Sequence, residues 1–257
     1  MSAYSDFAFF YDKLIDESDY DRRCEYLTEL LCENSVGEGI LLDAACGTGA
    51  LSERLSEKGY DVIGVDISEE MLSKALEKKA ETGSNSLYLC QNLAELDLFG
   101  TINCAVCTLD SINHITDPEE LKAAFIKIGL FTEKGGIFIF DVNTAYKHRE
   151  ILGNNAFIFD TDDVFCAWQN EYDEETEAVH IYLDLFAPGE DGLYERYAED
   201  FSEVIYSREF LEEALYNAGF KIKAIYDDLT HDELKETSQR AVYVCEKIIE
   251  TNSVFEE

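Results

Sequence analysis

Apolar positions in the first 150 residues alternate between short unbroken runs and an i, i+3, i+4 spacing. The runs at about residues 40–44, 61–65, 86–90, 102–108 and 137–142 predict five strands. Helical spacing covers about residues 20–31, 50–58, the stretch after Ser68 that brings Met71, Leu72, Ala75 and Leu76 onto one face, and the stretch after Asp117. The punctuation agrees. Gly59 closes a helix as a left-handed cap. Ser68-Glu69-Glu70 offers an N-cap and acids against the helix dipole, and Asp117-Pro118 places proline at the first helical position. Gly135-Gly136 predicts the turn into the fifth strand, and 109–116 reads as a loop. Strands alternating with helices predict a parallel sheet, and the unbroken 102–108 run predicts a strand buried on both faces.

The period then changes. From about residue 156 to 203 apolar positions alternate by two, with Cys166, Trp168 and Asn170 on one face and Phe165, Ala167 and Gln169 on the other. Asp173–Thr176 and Pro188–Gly192 read as hairpin turns. Helical spacing returns at 207–217, stopped by Gly219, and 221–226 and 241–246 read as two last strands. Three segments follow: an N-terminal helical lid over 1–38, a main domain over 39–150 and 205–250, and an antiparallel β insertion over 151–204. The aromatics of that insertion, Trp168, Tyr172, Tyr182, Tyr194 and Tyr197, serve either as its own core or as the wall of a site for an apolar or planar molecule.

Acidic residues outnumber basic ones 55 to 20, a formal net charge of −35. Such a field opposes polyanions, so nucleic acid is an unexpected partner. The basic runs Arg22-Arg23 and Lys147-His148-Arg149 are short, flanked by carboxylates and expected to be solvated surface. No apolar run reaches the roughly 18 residues of a membrane span, and the first residues lack a signal-peptide pattern. A cytoplasmic protein, monomeric or homodimeric, is expected. Of eight cysteines, Cys46, Cys90, Cys104, Cys107 and Cys245 fall in predicted strands or the glycine turn and read as reduced, buried small hydrophobes. Cys104 and Cys107 lie three apart on a strand and face opposite ways, so neither a dithiol nor a metal site is expected there.

The chemistry concentrates at the first strand. It runs into Asp43-Ala44-Ala45-Cys46-Gly47-Thr48-Gly49, and the second strand ends on Asp66. Glycines permit positive φ and close approach of backbone N–H groups to a ligand, while a carboxylate about 20 residues on can accept ribose hydroxyl protons. A dinucleotide site wants a third glycine where Ser52 stands. Asp43 would repel a pyrophosphate but attract an ammonium or a sulfonium. On these residues the chain resembles the class I S-adenosylmethionine-dependent methyltransferases, whose first motif is commonly D-x-x-C-G-x-G, and in particular their bacterial small-molecule subgroup.

The resemblance implies a doubly wound, Rossmann-like α/β fold with a seven-stranded sheet whose seventh strand is antiparallel, here with the antiparallel insertion. It implies S-adenosylmethionine as cofactor, with the backbone of Ala45, Gly47 and Gly49 and the side chain of Asp43 near its methionine part, Asp66 on the ribose and Ile67 on the adenine. Asn92 stands where the family often places an acid for the adenine amino group, and its amide oxygen is expected to accept that bond. Thr108 and Leu109 line the methionine, and Met71, Gln91 and Leu93 are counted with the cofactor site. Tyr11 either approaches the cofactor carboxylate or anchors the N-terminal helix. His114 is the candidate general base, or else a polar loop residue. Asp141-Val142-Asn143 reads as a loop cap rather than a magnesium site, and no metal is expected. The activity implied is methyl transfer to a nitrogen or oxygen of a small molecule by in-line displacement. A tRNA or protein acceptor, or a module that binds the cofactor without turnover, are the alternatives.

Overall fold

The computed structural model describes residues 7–14, 17–189 and 192–249. The expectations for the first six residues and for Glu190 and Asp191 in the second hairpin turn lie outside the described residues.

The described residues open on a 3-10 turn, Phe7–Phe9, followed by a single helical turn, α1 (Tyr11–Leu14), and a longer helix, α2 (Glu17–Glu33). Then come β1 (Gly39–Ala44), α3 (Ala50–Glu57), β2 (Tyr60–Asp66), α4 (Glu69–Thr82), β3 (Leu87–Cys90) and β4 (Ile102–Cys107). The turn α5 (Ser111–His114), helix α6 (Pro118–Phe131) and strand β5 (Thr132–Asn143) follow. A π-helical turn, Lys147–Leu152, leads into β6 (Ala156–Asp160), β7 (Phe165–Asp173), β8 (Ala178–Pro188) and β9 (Tyr194–Val204). Helix α7 (Arg208–Asn217) and strands β10 (Phe220–Asp227) and β11 (Arg240–Lys247) complete the described fold.

Seven strands form one sheet in the order β10-β11-β5-β4-β1-β2-β3, with β11 antiparallel to both its neighbours. This is the doubly wound α/β sheet expected, including the reversed seventh strand. Beside β1 the winding switches direction, β2 lying to one side and β4 to the other, which opens a crevice at the carboxyl ends of these strands. The sheet separates two cores, and β4 shows why its sequence is apolar throughout. Ala105 and Cys107 pack into one core, Cys104 and Val106 into the other, so the two cysteines do face opposite ways. Cys90 departs from its expected burial: β3 is the sheet's edge, and its thiol is exposed.

Helix starts follow their caps. The Ser68 hydroxyl accepts Met71 N–H at 3.2 Å, Asp117 accepts Glu119 N–H at 2.9 Å, and Ser207 accepts Phe210 N–H at 3.2 Å, each cap contributing about 1 kcal/mol. Gly135-Gly136 is not a turn. Strand β5 begins at Thr132 and runs through the pair as a bulge, its register against β4 slipping between Ile102 and Cys104. A Cβ on Gly136 would lie 2.7 Å from the Asn103 carbonyl oxygen, so only glycine lets the strands approach. The expected loop 109–116 contains the helical turn α5.

The insertion forms a second sheet, β6-β7-β8-β9, antiparallel throughout. Its inner face joins a third core with Ala8, Phe10 and Met71. Trp168, Tyr172 and Tyr197 pack on that core, whereas Tyr182 and Tyr194 are exposed. The basic runs also divide. Arg22 and Arg149 are at the surface, but Arg23 and His148 are buried and Lys147 faces a cavity. Arg23 shares the inner stripe of α2 with Tyr20, Cys24 and Leu27 and pairs with Asp141, which offsets the cost of burying its charge.

Candidate functional site

A cavity of about 520 Å³ opens over the carboxyl ends of the central strands, within the size range of small-molecule sites. Tyr11, Ala45, Gly47, Asp66, Ile67, Met71, Gln91, Asn92, Leu93, Leu109 and His114 all line it. Asp43 and Thr108 border a small annex of about 30 Å³, which shares Tyr11, Ala45, Gly47 and Leu109 with the main cavity.

The glycine turn and Asp66 form one unit. Asp66 accepts Gly47 N–H at 2.8 Å through one oxygen and Ser68 N–H at 2.9 Å through the other. Burial raises its pKa, and these backbone donors oppose the rise. Gly47 has φ +53°, and a Cβ there would meet no atom within 4 Å, which leaves room beside the turn. Gly49 is different. It is absent from the cavity wall, and a Cβ there would lie 2.6 Å from Tyr88 Oη and 2.8 Å from Ala75 Cβ. Its glycine is needed to pack the start of α3 against β3 and α4. Next to Asp66, Ile67 is 64 % exposed, an isolated apolar surface facing the cavity.

Beyond Ile67 the wall departs from expectation. Asn92 caps a short 3-10 turn, its amide oxygen accepting Ala94 N–H at 2.8 Å. Its amide nitrogen donates to Glu120 Oε1 at 2.6 Å. The oxygen expected to meet the adenine amino group is therefore engaged locally, and a carboxylate from α6 stands beside it in the cavity wall. Gln91 is tied to its own loop by bonds to Asp97 N–H and C=O. Nothing local marks Glu120, since acids in a first helical turn ordinarily answer the helix dipole.

The opposite end of the cavity is polar below and aromatic above. Leu109 and Asp110 both have φ +57°, a strained pair in non-glycine residues. Asp141 holds them there, accepting Leu109 N–H at 3.0 Å and Asp110 N–H at 2.8 Å. Arg240 bridges Asp110, at 2.6 Å, and Asp141, while Arg23 reaches Asp141 at 3.2 Å. Burial opposes the charge of Asp110, yet Arg240 and Lys147 outweigh it and hold this carboxyl well below the usual range. Burial also lowers the Lys147 ammonium and raises the Tyr11 phenol.

His114 Nε2 lies 3.8 Å from Glu203 Oε1. Glu203, buried on β9, accepts Asn143 Nδ2 at 2.7 Å through its other oxygen, which also lies 3.0 Å from His148 Nε2. Lys147, Glu203 and Arg240 were not foreseen at this site. Glu203 and Arg240 come from strands far along the chain, and Lys147 carries no spacing signal. Donor atoms of Asp110, His114 and Glu203 lie within 4.8 Å of one another. Asp110 is already engaged by Arg240, and Lys147 stands in the same wall, so two cations oppose a metal ion there. Phe159, Trp168, Leu183 and Phe201 of the insertion close the cavity from above.

Against known proteins, residues 41–136 match the family model described as a methyltransferase domain. A putative methyltransferase from Geobacillus sp. (strain WCH70) is 32 % identical over 246 residues, covering 95 % of this chain and 99 % of that protein. The crystal structure of an S-adenosylmethionine-dependent methyltransferase from Clostridium acetobutylicum ATCC 824 superposes with a TM-score of 0.85 at 33 % identity, covering 96 % of this chain and 99 % of the other. A sugar N-methyltransferase from Streptoalloteichus sp. ATCC 53650 shares the fold, with a TM-score of 0.78 at 18 % identity over 97 % of this chain and 95 % of its own.

Proposed function

The chain belongs to the class I S-adenosylmethionine-dependent methyltransferases, and from that premise we propose that it methylates a nitrogen or oxygen of a small molecule by in-line displacement. The observation that carries the small-molecule reading is one continuous cavity, running from Asp66 and Ile67 to His114 and Glu203 under the aromatic cover of the insertion. A covered volume of this size suits a metabolite better than a macromolecule, and the acidic balance of the chain opposes RNA. The sugar N-methyltransferase with the same fold is an example of such an acceptor class.

The residues present fit the cofactor. Asp66 offers a fixed carboxylate for ribose hydroxyls, Ile67 an apolar face for adenine, and the open space at Gly47 admits a ligand against the turn. When bound, S-adenosylmethionine supplies a methyl group already activated on a sulfonium. The chain's own task is then alignment and exclusion of water, which can contribute on the order of 7–11 kcal/mol. In this reading His114 takes the acceptor's proton, and the aromatic cover orients its apolar part.

Residues 1–38 act as a lid and 151–204 as the cover that selects the acceptor. Asp12 supports the lid role. It accepts Thr48 Oγ1 at 2.7 Å and Lys78 Nζ at 2.5 Å, tying α1 to the glycine turn and to α4. All eight cysteines are free thiols, which fits the reducing cytoplasm, and none of the described helices is long and apolar enough to cross a membrane. Incubation with methyl-labelled cofactor and fractionated small metabolites tests the proposal. Label entering a low-mass product is the expected result; label entering only RNA or protein overturns it.

A further inference from the structure

We propose that Glu120, on the first turn of α6, reads the amino edge of the cofactor's adenine in place of the acid absent at Asn92. The inference rests on the cofactor reading above and goes beyond it, because Glu120 lies outside the nucleotide-binding strands and their turns. Ile67, Asn92 and Leu93 border the part of the cavity suited to a flat heterocycle, and Glu120 completes its wall. Asn92 is the weaker acceptor there. Its neutral amide oxygen already holds Ala94 N–H at 2.8 Å, and its amide nitrogen donates to Glu120 Oε1 at 2.6 Å.

A carboxylate accepts about four hydrogen bonds. The Asn92 bond fixes one oxygen of Glu120, orients the group and leaves further lone pairs for a ligand. A half-buried carboxylate in an otherwise apolar and donor-lined slot selects a heterocycle with an exocyclic N–H donor. It rejects the matching oxo compound, whose carbonyl oxygen would face a negative charge. The site therefore distinguishes an aminopurine from an oxopurine by charge rather than by shape.

Calorimetric titration with S-adenosylhomocysteine and with its inosine counterpart tests this without any methyl acceptor. The wild-type chain is expected to prefer the adenine ligand by on the order of a hundredfold, the scale of one hydrogen bond to a charged group plus the rejected oxo group. In Glu120→Gln the neutral amide can either accept or donate, and the preference falls below about fivefold, mainly because the inosine ligand binds more tightly. Glu120→Asp, which withdraws the carboxylate by one methylene, should lose at least half of the preference on a logarithmic scale and serves if the glutamine variant does not fold. A folded variant that binds the adenine ligand with an unchanged ratio overturns the role of Glu120 alone. A folded wild-type chain that binds neither ligand overturns the cofactor reading and this inference with it.

Discussion

Ser52 donates its hydroxyl to Asp43 Oδ2 at 2.5 Å, joining α3 to the strand beneath it where both side chains are buried. A dinucleotide site has a glycine at the Ser52 position so that helix and strand can close together. Here a hydroxyl fills that space and partners a carboxylate. Burial pushes Asp43 up to about 7; the Ser52 bond opposes the rise and the Asp66 charge adds to it.

That pKa makes cofactor binding and stability depend on pH with definite signs. A bound ammonium favours the ionised carboxylate, so binding releases a proton and affinity rises with pH up to about 7, then levels. S-adenosylhomocysteine titrated between pH 6 and 8 should show this rise in the wild type and a flat profile in Asp43→Asn. For stability, the folded value of about 7 lies above the unfolded value near 3.9. Between those values the folded state holds the extra proton, so this group's stabilisation is lost as pH rises through the window. Asp43→Asn should therefore gain stability relative to the wild type from pH 5 to pH 8 in urea titrations. A constant difference would show that Asp43 does not titrate there.

Arg240 is the keystone of the strained corner. Its removal leaves buried Asp141 with Arg23 alone and half-buried Asp110 without its guanidinium, and loosens the support of Leu109 and Asp110 in their left-handed conformation. Breaking a buried pair by deleting one partner costs about 3–5 kcal/mol. At about 2–4 °C per kcal/mol for a chain of this size, Arg240→Ala should lower the melting temperature by roughly 10 °C. Arg240→Lys keeps a charge but not the fork that spans both carboxylates, and should recover less than half of that loss. A melting temperature within about 2 °C of the wild type would contradict this account.

The alternation of parallel strands with helices and the glycine turn were legible in the sequence because local rules set them: apolar runs for buried strands, glycines for positive φ, a carboxylate at a strand end. The reversed β11 was legible only through the family resemblance. Glu120, Glu203 and Arg240 were not legible. Each reaches the cavity through tertiary packing, and each by itself reads as an ordinary charge, on a first helical turn, an insertion strand and a last strand. Lys147-His148-Arg149 shows the same limit. Three adjacent basic residues resemble solvated surface, but a π-helical turn sends one into the core, one to the cavity and one to solvent. Asn92 was placed correctly at the cavity, but its role depended on whether its oxygen was already capping Ala94.

The two glycines of the turn should separate folding from binding. Gly49→Ala adds a Cβ against Tyr88 Oη and Ala75 Cβ at a φ of +71°, so overpacking adds to the backbone strain. A loss of about 2–4 kcal/mol in denaturant unfolding is expected, with little change in ligand affinity for the folded fraction. Gly47→Ala meets no neighbour and carries only the left-handed strain, about 1–2 kcal/mol. Its methyl sits at the wall of the ligand space, so S-adenosylhomocysteine affinity should fall at least tenfold. If Gly49→Ala lost affinity while keeping full stability, the packing role assigned to it would fail.

Asp66, the proposed ribose ligand, also has a structural role. Its two oxygens hold Gly47 N–H and Ser68 N–H, so Asp66→Ala should cost about 1.5–3 kcal/mol of cofactor affinity and, separately, about 1–2 kcal/mol of stability from the freed amides. Asp66→Asn retains one acceptor and should fall between on both measures. Calorimetry and chemical unfolding of the same samples separate the two losses, and unchanged affinity in Asp66→Ala would remove the ribose assignment.

Glu203 stands beside His114, the proposed base, with Oε1 3.8 Å from Nε2. Oε2 of Glu203 lies against Asn143 Nδ2 and His148 Nε2, so Oε1 is the atom presented to His114 Nε2. At 3.8 Å the carboxylate acts on the ring by its charge rather than through a direct hydrogen bond, and that charge favours the tautomer with the proton on Nε2, which leaves the Nδ1 lone pair to take a proton. In Glu203→Gln the amide oxygen can still accept from Asn143 and His148, but the atom facing His114 becomes an N–H donor. It then favours a lone pair on Nε2 and puts the proton on Nδ1. Folding and S-adenosylhomocysteine affinity should change by less than about twofold, whereas turnover of an acceptor that needs deprotonation should fall by about 10²–10⁴, as it does in His114→Asn. Nitrogen-15 spectra of the His114 ring report the tautomer before any acceptor is known. An unchanged Nε2-protonated pattern in Glu203→Gln would show that this carboxylate does not position the base.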